Sequence, residues 1–116
     1  MTLEELAAGL TEETGVTFVE LAWQNAPATG DYGVVSFIEE NMSPCSSNRK
    51  RVRQSKVSVD LYVRSGAAKA LQAQAEAYFA ANRLPWVLSD QLYERNMVHY
   101  DWTVNVEDKA WLSPSR

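Results

Sequence analysis

Along residues 56–64 (KVSVDLYVR) apolar and polar side chains alternate without a break: Val57, Val59, Leu61 and Val63 share one parity, and Ser58, Asp60, Tyr62 and Arg64 the other. Successive strand residues point to opposite faces, so this pattern predicts a strand with one buried and one wet face. The same period runs through residues 93–107 (YERNMVHYDWTVNVE), where Val98, Tyr100, Trp102, Val104 and Val106 fall together. Residues 16–24 (VTFVELAWQ) and 33–42 (GVVSFIEENM) are rich in β-branched and aromatic residues and predict two more strands. In the first of these the odd positions, Thr17, Val19, Leu21 and Trp23, are expected to be buried. Residues 84–89 (LPWVLS) predict a short strand that precedes the long last one.

Two stretches change the period to that of a helix. Thr2-Leu3-Glu4-Glu5 fits a capping box, Leu3, Leu6, Ala7 and Leu10 follow at helical spacing, and Gly15 offers a left-handed stop, which predicts a helix over about 3–13. The run AAKALQAQAEAYFAAN has the composition of a strong helix former. Ser65 is placed to cap it, Asn82 to end it, and Leu71, Ala75, Tyr78 and Phe79 to pack it. The element order is therefore α-β-β-β-α-β-β, an α+β chain that reads as a single domain over residues 1–116 with a tail at about 108–116. A length of 116 residues suits one core and no more.

Between the second and third strands lies a segment of a different kind. Residues 43–54 (SPCSSNRKRVRQ) break the alternation with Pro44 and small polar residues, then gather cations. Every charge before Arg49 is acidic, at Glu4, Glu5, Glu12, Glu13, Glu20, Asp31, Glu39 and Glu40, whereas Arg49, Lys50, Arg51, Arg53 and Lys56 fall within eight residues. Read as a basic arm over about 43–56, the segment could project roughly 20 Å as a ribbon at ~3.3 Å per residue. Three readings apply: a solvated loop, a contact to an acidic surface of a neighbouring subunit, or a contact to DNA phosphates. The net charge of −4 and the lack of aromatics interleaved with the arm weigh against nucleic acid.

Catalytic and cofactor chemistry finds little footing. His99 is the one imidazole and Cys45 the one thiol, so neither a disulfide nor a Cys/His metal cage can form within the chain. His99 is expected to be a half-exposed strand residue opposite the Tyr100 and Trp102 face. Glu39-Glu40 and Glu107-Asp108 are adjacent pairs whose members point apart along a strand. The five glycines, at 9, 15, 30, 33 and 66, are too dispersed for a phosphate loop. No catalytic residue, cofactor or metal is expected, nor is a leader segment or a membrane span.

The run VSVDLYVRSGAAKALQAQAEAYFAANRLPWVLSDQLYERNMVHYDWTVNVE, with Val59, Leu61 and Tyr62 closing an alternating strand and Leu92-Tyr93 opening the last one, resembles the tail terminator (tail-completion) proteins of long-tailed phages. The upstream TGVTFVELAW and YGVVSFIEE fit as well, so the likeness spans about residues 12–107. It implies a single mixed or antiparallel sheet with helices packed on one face. It also implies a virion protein, made in the host cytoplasm, that sits at the tail–neck junction as a hexameric ring. Such a ring ends tail-tube polymerisation and offers a surface for head–tail joining to the connector, with genomic DNA passing through its lumen. No enzymatic activity and no cofactor are implied. The alternatives are another neck or tail-tube subunit in the same particle, or, from a different class, a small nucleic-acid-binding module that uses Arg49, Lys50, Arg51, Arg53 and Lys56.

Overall fold

A computed structural model describes residues 1–20, 30–42, 53–94 and 96–108, with the backbone alone at 38–42, 53–55, 107 and 108. Helix α1 spans Leu3–Thr14 and opens on the expected capping box. The Thr2 hydroxyl accepts the Glu5 N–H at 3.0 Å, and the Glu5 carboxylate accepts the Thr2 N–H at 2.8 Å. Gly15 ends it at φ 79°, a conformation that costs glycine little because it lacks a Cβ. Two threonines of the last turn then aim the chain into the sheet. Thr14 Oγ1 accepts the Val16 N–H at 3.1 Å, and Thr11 Oγ1 accepts the Phe18 N–H at 2.9 Å.

Five strands follow: β1 (Phe18–Glu20), β2 (Tyr32–Met42), β3 (Arg53–Val63), β4 (Trp86–Glu94) and β5 (Met97–Asp108), with helix α2 (Ala68–Ala81) between β3 and β4. They form one sheet in the order β1-β2-β3-β5-β4, in which β1 runs parallel to β2 and every other pairing is antiparallel. The sheet is thus mixed and the fold α+β, in the expected element order. Both β3 and β4 run antiparallel to β5, so α2 carries the chain across one strand position and lies over the sheet on the way.

Both helices pack on one face. Val57, Val59, Leu61 and Val63 from β3 and Tyr100, Trp102, Val104 and Val106 from β5 are buried there with Leu3, Leu6, Ala7 and Leu10 of α1 and Leu71, Ala75 and Phe79 of α2. Trp102 lies at its centre with no exposed surface. Its ring meets Phe79 edge-on at 5.6 Å and stacks on Tyr100 at 5.6 Å, and its indole N–H donates to the Glu76 carboxylate at 3.0 Å. That hydrogen bond satisfies a polar group that would be costly to bury unpaired.

The structure corrects several expectations. In β1 the even positions are the buried ones, Val16 and Phe18, while Thr17 is exposed and Val19 half-buried. The Phe18 ring lies flat on Gly33 of the adjacent strand, in the space a side chain would fill there, and this fixes the parity. Residues 21–24 of the expected strand lie outside the described residues. Ser65 is not the N-cap of α2: that position is Ala67, whose side chain makes no hydrogen bond, while the Ser65 hydroxyl donates to Asp31 and accepts the Ala67 N–H at 3.3 Å. The strand expected at 84–89 continues to Glu94, so Leu92 and Tyr93 belong to β4, and β5 begins at Met97 after a turn in which Asn96 takes φ 60°. Arg53 and Lys56 are strand residues of β3, so the connection between β2 and β3 is shorter than the arm expected over 43–56. Asp108 closes β5, and the remainder of the expected tail is outside the described residues.

The Phe18–Gly33 contact yields a paired prediction. A Cβ at Gly33 would run into the Phe18 ring, whereas one at Gly66 would meet nothing within 4 Å. Gly33→Ala is therefore expected to lower unfolding free energy by about 1–3 kcal/mol through overpacking. Gly66→Ala should leave it unchanged or raise it by up to ~1 kcal/mol by restricting the unfolded chain. Urea denaturation of the two variants checks both values.

Candidate assembly surface

With both helices on one face, the other is covered by no helix or strand among the described residues, and its side chains fall in register across four strands. One row reads Tyr32, Tyr62, His99, Leu92; the next Val34, Asp60, Asp101, Asp90; the third Ser36, Ser58, Thr103, Val87. Leu92 is 41% exposed and Val87 64%, both on the β4 side of this face. Cross-strand neighbours of this kind interact directly, so each row acts as a unit.

In the first row Tyr32 stacks on Tyr62 at 4.6 Å between ring centres, and Tyr62 on His99 at 4.1 Å. The Arg64 guanidinium lies over the outer face of Tyr32 at 5.6 Å, a cation–π contact. Asp31 ties that end down. Its carboxylate accepts the N–H groups of Arg64 and Ser65 at 2.7 and 3.0 Å and the Ser65 hydroxyl at 2.7 Å. Burial alone would raise the Asp31 pKa, but the Ser65 hydroxyl, the two backbone donors and the Arg64 charge outweigh it and hold the carboxyl below its ordinary value.

The second row concentrates negative charge. Asp60 pairs with His99 Nε2 at 2.8 Å, and the Ser58 hydroxyl lies 3.0 Å from an oxygen of Asp60 and 3.0 Å from one of Asp101. Burial first, and then the Asp60 charge, push the Asp101 carboxyl above its usual range. Burial, with the charge of Asp60 next, takes the Tyr62 phenol up to about 12. Ser58, Asp60 and His99 are the residue types of a hydrolase triad in the wrong order. The aspartate stands between serine and histidine, so the hydroxyl contacts a carboxylate and no imidazole base touches it. Among the described residues no group of three or more His, Cys, Asp or Glu is placed to hold a metal ion.

The opposite end of the sheet carries the residues expected from the basic segment. Here β2, β3 and β5 continue as a three-stranded ribbon, with Glu39, Glu40, Asn41 and Met42 paired to Lys56, Ser55, Gln54 and Arg53, and these in turn to Asn105, Val106, Glu107 and Asp108. Arg53 thus stands opposite Asp108, and Lys56, which is exposed, opposite Glu39. Arg49, Lys50 and Arg51 lie outside the described residues. The structure therefore separates the five cations into two strand positions and a connecting segment. His99 is half-buried opposite the core face as expected, but the alternating pattern alone did not show that it meets Asp60. That partner is 39 residues away, and the register of β3 against β5, Tyr62 to His99 and Asp60 to Asp101, is what brings the two together.

No family model matches this chain, and no curated protein matches it. Among solved structures it is similar to a chain from the virion of a native gene transfer agent particle. The two share 18% identity and superpose with a TM-score of 0.38, over 89% of this chain and 84% of that one. A likeness of this degree carries no functional argument.

Asp31 and Asp101 should respond to pH with opposite signs. Asp31 has a lowered pKa in the folded state, so it contributes stability above the ordinary carboxylate range and loses it as pH falls. Asp101 has a raised one, so its ionised form costs stability at neutral pH and that cost disappears on acidification. Asp31→Asn is expected to lower the urea midpoint at pH 7, by an amount that shrinks toward pH 3. Asp101→Asn, which keeps an acceptor for Ser58, should raise it, and this gain should fade over the same range. Denaturation series between about pH 3 and 7, spanning the carboxylate range, read both.

Proposed function

We propose that this chain is a virion assembly protein of the tail-terminator type, working as a ring subunit and not as an enzyme. The observation that carries the reading is the one-sided sheet. Two helices complete a core on one face, while the other presents ordered rows of half-exposed polar and aromatic residues with Leu92 and Val87 beside them. Such a face is preorganised, because its side chains are already held by stacking and hydrogen bonds, and a partner that docks on it has less ordering entropy to supply. The sequence resemblance to tail terminators gives the assembly its form: a hexameric ring at the tail–neck junction, with the tail tube protein on one side and the head connector on the other. Capping is then geometric. The ring matches the sixfold end of the tube and exposes no equivalent surface for another tube subunit.

In this reading Arg49, Lys50, Arg51, Arg53 and Lys56 contact a partner: a neighbouring subunit, the tube or DNA in the lumen. The ribbon of β2, β3 and β5 supports it, because its continuation past Phe37 and Val57 keeps the connecting segment at one end of the sheet. A nucleic-acid-binding module is less well supported, since the Asp60, Asp101 and Asp90 row would repel phosphates across the open face.

Electron microscopy of particles made without this protein tests the role. Overlong or headless tails are expected. Absent tails would instead indicate a tube subunit, and normal particles would reject an assembly role. Replacement of the five cations by Ser should impair ring formation or head joining. DNA affinity measured at about 50 mM salt separates the second class, because phosphate-driven binding would be strong there and fall steeply as salt rises.

A further inference from the structure

The open sheet face and the basic segment of the same chain are complementary in charge. Asp60 and Asp101 lie seven residues along their strands from the Arg53–Asp108 pair, a distance of about 23 Å at ~3.3 Å per residue. Arg49, Lys50 and Arg51 precede Arg53 by four, three and two residues, so their Cα atoms lie within about 14, 11 and 7 Å of it even if fully extended. Lys50 of a given copy therefore falls short of that copy's own Asp101 and Asp90. A second copy has no such restriction.

We infer that the open sheet face of one copy is the seat for the Arg49–Lys50–Arg51 segment of the next, an inference that deepens the ring reading and rests on it. Three features of the face suit a cationic, extended guest. Asp90 is exposed and Asp101 half-buried beside it in the same row, within reach of a side chain laid across β4 and β5. Asp60 is already held by His99, so the incoming charge meets Asp101 and Asp90, the two carboxylates on the β4 side of the row. Leu92 and Val87 flank the row with apolar surface on which the long stems of Arg and Lys can lie. The contact runs from one end of a copy to the middle of its neighbour's face, so it is heterologous, the kind that closes into a ring.

Zero-length carbodiimide coupling of a mixture of isotope-labelled and unlabelled protein tests this. The expected result is mixed-isotope peptides that join Lys50 to Asp90 or Asp101. Coupling of Lys50 to Glu4, Glu5, Glu12 or Glu13 of α1 in another copy would overturn the seat. So would the absence of any Lys50 coupling between copies.

Charge reversal gives an independent arm. Arg49→Glu with Lys50→Glu and Arg51→Glu in one variant, and Asp90→Lys in another, should each weaken self-association at least tenfold while circular dichroism stays unchanged. Mixed in equal amounts, they should recover it, because an alternating ring pairs every acidic segment with a basic face and every basic segment with an acidic one. A mixture no better than its components overturns the proposal. Should the wild-type chain associate without these couplings, the seat is wrong and the ring reading stands. Normal particles formed in the protein's absence would instead overturn the ring reading itself.

Discussion

Burial of one sheet face against two helices is the constraint on which the rest of this structure depends. Trp102 and Phe79 sit where α2 crosses the sheet, both fully buried, and the indole N–H is satisfied by Glu76 from the helix side. Because β3 and β5 alternate strictly, placing Val59 and Trp102 in that core obliges Ser58, Asp60, His99 and Asp101 to face away from it. The core therefore determines what the open face displays. A slip of one residue in either strand would exchange the two sets, and the large apolar area buried on the helix side makes such a slip costly.

The open face is held together in a way that a face merely exposed to water does not require. Three ring systems stack in a row closed by a guanidinium at one end, and a serine hydroxyl lies between two carboxylates. The same face tolerates an unfavourable feature, carboxylates directly opposite each other on β3, β5 and β4, and burial together with the Asp60 charge raises the pKa of Asp101. Its negative charge is thus partly uncompensated within the described residues, while Arg53 and Lys56 lie at the other end of the sheet, close in sequence to Arg49, Lys50 and Arg51. Segregation of this kind gives little to an isolated monomer and more to an assembly in which the two regions meet.

Much of this was legible in the residues. The strict period of β3 and β5 fixed which of their side chains are buried, the capping box and Gly15 fixed α1, and the alanine-rich run fixed α2. What escaped was set by partners distant in sequence. Phe18 is buried in place of Leu21's parity because Gly33, on the next strand, leaves room for its ring. Ser65 stands two residues before the N-cap, where its hydroxyl bridges Asp31 and the Ala67 N–H. The β4–β5 turn carries neither Gly nor Pro, and Asn96 supplies the left-handed residue instead, so the composition gives no sign that β5 starts at Met97 and not at Tyr93. The site followed the same logic: the basic cluster stood out in composition, whereas the His99–Asp60 pair needed the strand register to become visible.

Native mass spectrometry of the purified protein tests most directly the proposed association of this fold with copies of itself. The account predicts a discrete closed species, a hexamer, that dissociates as ionic strength rises, because charge complementarity between copies is screened by salt. A chain that stays strictly monomeric at every protein concentration and every salt concentration would contradict it.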